Sequence, residues 1–558
     1  KIFKKFKDGK IFMQNNISEL QKERLKYVPK LPKTLEDISK LEIDEKEKTT
    51  SIDDAKELEK IFSNTFGKSI VHFKQKSENK DSASLIVGVV FSGGQAPGGH
   101  NVISGLFDAL KRLNPKSQLY GYLNGPSGVV DCKYIELTKE SVDSYRNLGG
   151  FDLIGSGRTK IETDEQLEKS LICAKDLQLD GIVIIGGDDS NTNAAILAEY
   201  FKKKNISTSV VGVPKTIDGD LKSFEVEISF GFDTACKVYS ELIGNIAKDA
   251  ISAKKYYHFI RLMGRSASHI ALECALKTHP NVVLIGEEIL KKKKTLKVIT
   301  NKIADVIEKR ALSNKNYGIV LVPEGLIEFI PEFKSLISEL NKLLATGEQA
   351  EKELANQKDK MEYIKTILSK ESKLCFEMLP KQIQQQLLLD RDPHGNVKVS
   401  QIETEKLLIE TIKKELKNRA FEGAFNALSH FFGYEGRSGM PTNFDANYCY
   451  SLGHVAALLI NEKLSGYMSS LGNLDKDVSD WVAKGVPITS LMNLELRHGK
   501  QKPVIKKALV ELDSKAFKYL VENREKWALN DYYMYPGSIQ YFGNSKVTDA
   551  TPITLSLK

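Results

Sequence analysis

Leu85 to Gly99 reads LIVGVVFSGGQAPGG. Its opening is an uninterrupted apolar run rich in β-branched side chains, as expected for a strand covered on both faces. Ser92 to Gly99 punctuates that run, and Asn101 to Arg112 then has apolar residues at helical spacing. The same grammar recurs at GIVIIGGDDSN (Gly181 to Asn191), which leads into a helix reaching about Phe201, and at STSVVGVPKTIDGD (Ser207 to Asp220). Tyr257 to Leu262 is a fourth strand candidate and runs into MGRSASH. Val282 to Glu287 is a fifth, and Tyr317 to Val322, running into PEG, is a sixth. Strands alternating with helices of roughly 10–15 residues predict α/β layers around mainly parallel sheets.

The flanking chain has a different character. Residues 1–80 are polar and Lys/Glu-rich, with a helix expected near Ile52 to Phe66, and read as an extension packed on a larger body. From about Phe329 to His430 the chain is charged and periodic at helical spacing (Ser335 to Leu344, Glu351 to Leu368, Glu403 to Leu428). DRDPHGN (Asp390 to Asn396) forms a turn there, so this stretch reads as a helical insertion. The α/β pattern resumes after GYEGRSGMP (Gly433 to Pro441), with a helix from about Tyr450 to Asn461. The aromatic residues of Lys500 to Lys558 predict ordered, packed surface.

Length and composition bound the function. At 558 residues the chain holds more than one domain, and 41% hydrophobic with 28% charged residues excludes a disordered or fibrous protein. No run approaches the ~20 apolar residues that cross a bilayer, so no membrane partner is expected. The first residues, KIFKKFKDGKIF, lack the apolar core of a secretory signal, which predicts a cytoplasmic protein. The net charge of +8 is spread along the chain, so no nucleic-acid partner is expected; Lys291 to Lys294, the densest basic patch, reads as a solvated turn or helix end. Six cysteines without a CxxC read as reduced thiols. Nine histidines with no HExxH argue against structural zinc and haem.

The chemistry is in the loops after the apolar runs, where ligands bind in open α/β sheets. Adjacent glycines (Gly93, Gly94, Gly98, Gly99) let backbone N–H groups approach a phosphoryl oxygen, and the following helix offers its positive end; a tight strand–helix turn is the plain alternative. In GGDDS, Asp188 and Asp189 put two carboxylates at a strand end, where a phosphate calls for Mg²⁺ as a bridge; a helix-capping aspartate is the alternative. PKTIDGD adds Lys215, Asp218 and Asp220. Phosphoryl transfer to a sugar hydroxyl needs a base, positive charge on the transferring oxygens and exclusion of water. Asp218 suits the first role and Lys215 the second, with Asp220 in support. Arg265 and Arg437 can hold a phosphate by their fork geometry, Glu324 can accept from sugar hydroxyls, and Lys255 and Tyr256 can reach a phosphate.

GGxxPGG, GGDDS, PKTIDGD, MGR, PEG and YEGR, in this order, resemble the phosphofructokinase family, and within it the long, pyrophosphate-dependent branch. The resemblance covers most of the chain. It implies an α/β, phosphofructokinase-like fold: two Rossmann-like three-layer α/β/α domains with an inserted helical region and N- and C-terminal extensions. On that pattern 1–80 is the N-terminal extension, and 81–232, completed by about 446–500, is the phosphoryl-donor domain. Residues 233–445 form the fructose-6-phosphate domain with a helical insertion at about 330–430, and 501–558 is the C-terminal extension. The implied reaction is reversible, magnesium-dependent transfer from pyrophosphate to the 1-hydroxyl of fructose 6-phosphate.

Carried over by motif, the resemblance makes Asp218, Lys215 and Arg265 catalytic and Asp188 the magnesium-associated carboxylate. Gly94, Arg158, Asp189 and Lys215 bind the donor. The sugar phosphate falls to Thr216, Ile217, Asp218, Asp220, Met263, Gly264, Arg265, Glu324, Tyr434, Glu435, Gly436 and Arg437, with Lys255 and Tyr256 reaching a neighbouring subunit's site in a homodimer. ATP-dependent members have glycine where this chain has Asp189 and Lys215. The carboxylate crowds the nucleotide's α-phosphate and the lysine supports a compact donor. An ATP-dependent 6-phosphofructokinase is the alternative reading. Ala446, after the FD of Phe444–Asp445, stands where short members have an arginine, which makes Tyr448 and Lys255 candidates for the missing 6-phosphate contact.

Overall fold

In a computed structural model, which describes residues 17–76, 82–345, 357–388, 397, 401–497 and 500–558, the apolar runs are strands. In chain order these are β1 (Leu41–Lys48), β2 (Ser69–Gln75), β3 (Ile86–Ser92), β4 (Gln118–Tyr122), β5 (Tyr134–Glu136), β6 (Ser156–Gly157), β7 (Gly181–Gly186), β8 (Ser209–Pro214), β9 (Tyr257–Leu262), β10 (Val282–Val283), β11 (Gly318–Pro323), β12 (Ala427–Phe432), β13 (Tyr467–Gly472), β14 (Val482–Pro487), β15 (Met492–Arg497) and β16 (Lys500–Ile505). Two compact units divide the chain. The first comprises Lys1–Ala235, Tyr434–Ala508 and Ile539–Ser556; the second comprises Cys236–Gly433, Leu509–Ser538 and Leu557–Lys558.

The first unit is built on a ten-stranded sheet of order β1-β2-β14-β13-β8-β7-β3-β4-β5, with β6 beside β3. Its middle strands β13, β8, β7, β3 and β4 are parallel, and antiparallel strands close both edges. Every residue of β7 and β8 is buried, because helices cover both faces. Residues expected to be an extension therefore supply two strands, β1 and β2, to this sheet. The second unit has a four-stranded parallel sheet, β10-β11-β9-β12. The helices Pro331–Ala345, Lys370–Met378 and Thr404–Asn418 share one apolar core with this sheet, through Phe333, Leu336, Phe376, Leu408 and Ile412 against Phe259 and Val320. A buried ion pair, Arg261 to Glu405 at 2.7 Å, ties β9 to the last of these helices. Among the described residues no helix is long and apolar enough to cross a membrane.

Four expectations change. The helix drawn from Glu403 to Leu428 ends at Asn418: Ala420 takes a left-handed backbone (φ 53°), and Ala427–Phe432 becomes β12, paired with β9. The strand drawn from Val282 to Glu287 is two residues long, since Gly286 already opens a helix. The tail is ordered and packed, as the helix Lys515–Leu529 with its buried Trp527 illustrates, but its start, β16, forms a hairpin with β15. The cysteines are not all reduced: Cys132 and Cys173 form a disulfide with Cα atoms 5.4 Å apart. Cys132 follows the helix Pro126–Val130 and Cys173 lies on Asp164–Asp176, and these two helices pack together, which a sequence separation of 41 conceals. Lys291 is the last residue of the helix Gly286–Lys291, and Lys292 and Lys294 pair with Glu288 at 2.7 and 3.5 Å, as a solvated helix end should. The DRDPHGN turn, the basic first residues and the start of the Glu351 to Leu368 helix lie outside the described residues.

Candidate active site

Because β8, β7 and β3 are adjacent and parallel, their carboxyl ends bring three loops together: Gly93–Gly99, Gly186–Asp189 and Lys215–Asp220. Polar side chains stitch the loops to one another. Ser190 Oγ donates to Ser92 Oγ at 2.7 Å, the Lys215 backbone N–H donates to the Gly186 carbonyl at 2.9 Å, and the Asn191 amide reaches the Gly186 and Val213 carbonyls at 2.6 and 3.3 Å. The Gly93 N–H donates to the Gly157 carbonyl at 2.8 Å and Ser156 Oγ donates to the Gly93 carbonyl at 2.7 Å, which brings Arg158 alongside the first loop. Gly94 has a structural reason to be glycine: a Cβ there would lie 1.8 Å from Arg437 Nη2 and would displace that guanidinium. Arg437 also donates from Nε to the Gln95 carbonyl at 3.4 Å.

The loops carry buried charge. Lys215 is 6% exposed. Burial, with Arg437 nearby, brings its ammonium pKa down to about 8, and the carboxylates of Asp188 and Asp218 limit the fall. Asp220 is 5% exposed, and burial followed by repulsion from Asp218 and Asp188 pushes its carboxyl up to about 7, against the pull of Lys507. Lys507 Nζ lies 3.7 Å from Asp188 Oδ2 and 3.8 Å from Asp220 Oδ2, so these two acids converge on one cation. Asp188 is the first residue of the helix Asp188–Lys203, whose amino end faces the same loops without a side-chain cap. The Asp218 N–H donates to Thr216 Oγ1 at 3.1 Å, which fixes the turn that presents the carboxylate. Ile217 between them is buried, so only its backbone can meet a ligand.

In the second unit, β9 and β11 end in register and their loops meet. The Gly264 N–H donates to Glu324 Oε2 at 3.1 Å, and the Met263 N–H donates to the Phe432 carbonyl at the end of β12. Gly325 allows the Arg265 carbonyl to approach where a Cβ would collide at 1.8 Å, while the Arg265 side chain is exposed. Met263, Gly264, Arg265 and Glu324 are thus one cluster. Lys255 and Tyr256 precede β9 and lie exposed at its other end, roughly 20 Å from Met263 for a six-residue strand. The structure does not bring them to the Met263–Arg265 loop of their own chain. Tyr434–Gly436 forms a single 3₁₀ turn in the first unit, with Tyr434 and Glu435 exposed and Gly436 buried.

Residues 86–460 match the phosphofructokinase family model. The chain belongs to the phosphofructokinase family. It is 52% identical over 557 residues to the pyrophosphate–fructose 6-phosphate 1-phosphotransferase of Treponema pallidum, with 97% of each chain covered. The protein of that name from Porphyromonas gingivalis is 51% identical over 545 residues, covering 97% of this chain and 99% of its own. Among solved structures, the pyrophosphate-dependent phosphofructokinase of Nitrosospira multiformis superposes with a TM-score of 0.53 at 15% identity, covering 85% of this chain and 97% of that one. The last likeness bears on the fold, which is the α/β phosphofructokinase fold.

Against the phosphofructokinase pattern the structure corrects one suggestion and adds residues that the motifs do not contain. Tyr448 is no phosphate ligand: it is fully buried in the helix Asn443–Asn461 and its hydroxyl donates to the Ile228 carbonyl at 2.6 Å, and Ala446 is equally buried. Asp445 beside it accepts from the N–H groups of Gly231 and Thr234 and is a structural cap. Sequence reasoning missed Lys160, Arg497 and Lys507. Arg497 Nη1 donates to Asp189 Oδ1 at 2.9 Å, with Lys160 Nζ 3.5 Å from the same oxygen. Arg497 and Lys507 belong to a C-terminal segment with no motif, so the one available signal was their basic character beside a predicted acidic loop.

Proposed function

We propose that this phosphofructokinase transfers a phosphoryl group reversibly from pyrophosphate to the 1-hydroxyl of fructose 6-phosphate, giving orthophosphate and fructose 1,6-bisphosphate. The observation that carries the reading is the buried Lys215 held among Asp188, Asp218, Arg158 and Arg437 at the strand ends of the first unit. Asp218 takes the proton of the attacking hydroxyl, and Lys215, Arg158 and Arg437 bear on the charge of the transferring and departing phosphates. Since almost no covalent work falls to the protein in phosphoryl transfer, positioned charge supplies most of the acceleration. The first unit accordingly holds the donor and the base. Met263, Gly264, Arg265 and Glu324, clustered in the second unit, are read by motif as sugar-phosphate residues, and the motifs of the first unit give the same role to Thr216, Asp220, the backbone of Ile217 and the Tyr434–Arg437 turn.

Magnesium fits the donor set. Asp188 and Asp220 converge on the Lys507 ammonium, as they would on another cation, and Mg²⁺ is commonly held by one or two carboxylates completed by substrate phosphates and water. When bound, the ion neutralises charge on the donor oxygens.

On this reading the protein acts in the cytoplasm as a homodimer in which Lys255 and Tyr256 serve the partner's site; their exposure at the far end of β9 supports the shared site. An ATP-dependent activity is disfavoured because Asp189 and Lys215 stand where ATP users have glycine. A coupled assay on the purified chain, in both directions with magnesium, tests the reading. Pyrophosphate should support turnover at least about 100-fold above ATP, and comparable rates with ATP would overturn it.

A further inference from the structure

Asp189 poses a problem for its own assignment. A carboxylate that crowds out a nucleotide also repels the polyanion the pocket must hold, and Asp188, Asp218 and Asp220 already lie nearby. The structure answers with cations from two other segments. Arg497, at the end of β15, donates to Asp189 Oδ1 at 2.9 Å, and Lys160 lies 3.5 Å from the same atom. All three side chains are partly shielded from water, at 37% exposure for Asp189, 25% for Arg497 and 29% for Lys160. The arrangement is anchored at both ends. Arg497 Nη2 meets Glu495 at 3.3 Å on its own strand, and Lys502 of β16 meets Glu162 at 3.1 Å near Lys160. The Ile505 N–H of β16 also donates to Thr192 Oγ1 at 3.2 Å, on the helix that Asp188 and Asp189 begin.

We propose that Arg497, seconded by Lys160, is a positioning residue for donor recognition. It cancels the Asp189 charge and pins the carboxylate, which then excludes a bulkier donor by volume while the pocket still admits pyrophosphate. The inference deepens the donor reading above and rests on it. An ion pair of this kind is worth more for orientation than for stability, since half-exposed pairs stabilise folds little. Its effect belongs in the affinity for the anion beside it.

The test is initial-rate kinetics of the full-length chain with varied pyrophosphate at saturating fructose 6-phosphate and magnesium. Arg497→Gln should raise the pyrophosphate KM about tenfold, with a much smaller change in kcat, because it leaves Asp189 under-compensated. Adding Asp189→Asn to that variant should bring the KM back to within about threefold of the parent, and Arg497→Lys should retain most of the affinity. The KM for fructose 6-phosphate serves as the internal check on folding. If Arg497→Gln leaves the pyrophosphate KM within about twofold, or if the double variant is no better than the single, Arg497 does not act through Asp189 and the inference fails. A parent chain that turns over ATP but not pyrophosphate would instead overturn the donor reading, and this inference with it, before any variant is made.

Discussion

The strand-end loops of the first unit and the helices laid on the sheet of the second bury their side chains on opposite terms. At the loops, burial encloses charge: Lys215 and Asp220 are almost wholly removed from water, and their proton affinities are displaced in the direction that disfavours the charged form. In the helices of residues 331–418, burial encloses Leu336, Leu340, Phe376, Leu408 and Ile412, which gain by leaving water. One region costs stability to keep charges ready; the other supplies stability through apolar burial. A substitution should therefore change rate with little loss of fold in the first region, and change fold with little loss of intrinsic rate in the second.

The largest separation is expected at Asp218. Asp218→Ala should lower kcat by about 10²–10⁴-fold and leave the fructose 6-phosphate KM nearly in place, since a base acts in the transition state. A large rise in that KM with kcat intact would move Asp218 from chemistry to binding. Lys215→Met should follow, at about 10²–10³-fold in kcat/KM for pyrophosphate. Lys215 also sets a pH limb. With its pKa lowered to about 8 it is charged below that pH and loses its proton above it, so kcat/KM for pyrophosphate should fall as pH rises past about 8. Bound pyrophosphate favours the ammonium, so the limb in kcat should lie at higher pH. A flat kcat/KM from pH 7 to 10 would show either that Lys215 keeps its proton across that range or that its charge is not needed, and the Lys215→Met variant separates the two.

The other side of the comparison is tested by Leu408→Ala. Leu408 is fully buried on the helix Thr404–Asn418, and truncation leaves a cavity. The loss should be about 2–5 kcal/mol in denaturant unfolding, with KM values unchanged below the melting transition. A rate defect in the folded variant would mean that the helices do more than support their sheet.

How much of this was legible before the structure depends on how far apart the partners lie in the chain. β3, β7, β8, β9 and β11 are runs of consecutive buried residues, so each announces itself locally, and the loops after them inherit their places from the parallel order. Local pattern failed where a distant partner decides. Ala427–Phe432 is a strand because β9 offers it an edge, and Cys132 meets Cys173 because two helices pack. Asp189 was readable as an acid at a strand end. That it is held by Arg497, 308 residues on, was not, because ion pairing leaves no periodicity to read.

The smallest effect expected is also the one that most directly probes the cost of the polar region. Burial, and then the neighbouring Asp218, pushes the Asp220 carboxyl up to about 7 from an ordinary 3.8. Below about pH 4 both folded and unfolded chains keep the proton and Asp220 costs little. Between about pH 4 and 7 the unfolded chain ionises while the folded one holds its proton, so stability falls with rising pH; above about 7 the loss is complete. Asp220→Asn removes that dependence. With chelator present, the variant should match the parent near pH 4 and gain on it up to pH 7, by about 1 °C in Tm for roughly each kcal/mol recovered in a chain of this size. On the proposed reading, in which Asp188 and Asp220 share a cation, the gain should come with a loss of pyrophosphate turnover in magnesium. A variant less stable than the parent at pH 7 would mean that Asp220 supports the fold it was expected to burden, and the contrast between the two regions would break at the residue where it should be plainest.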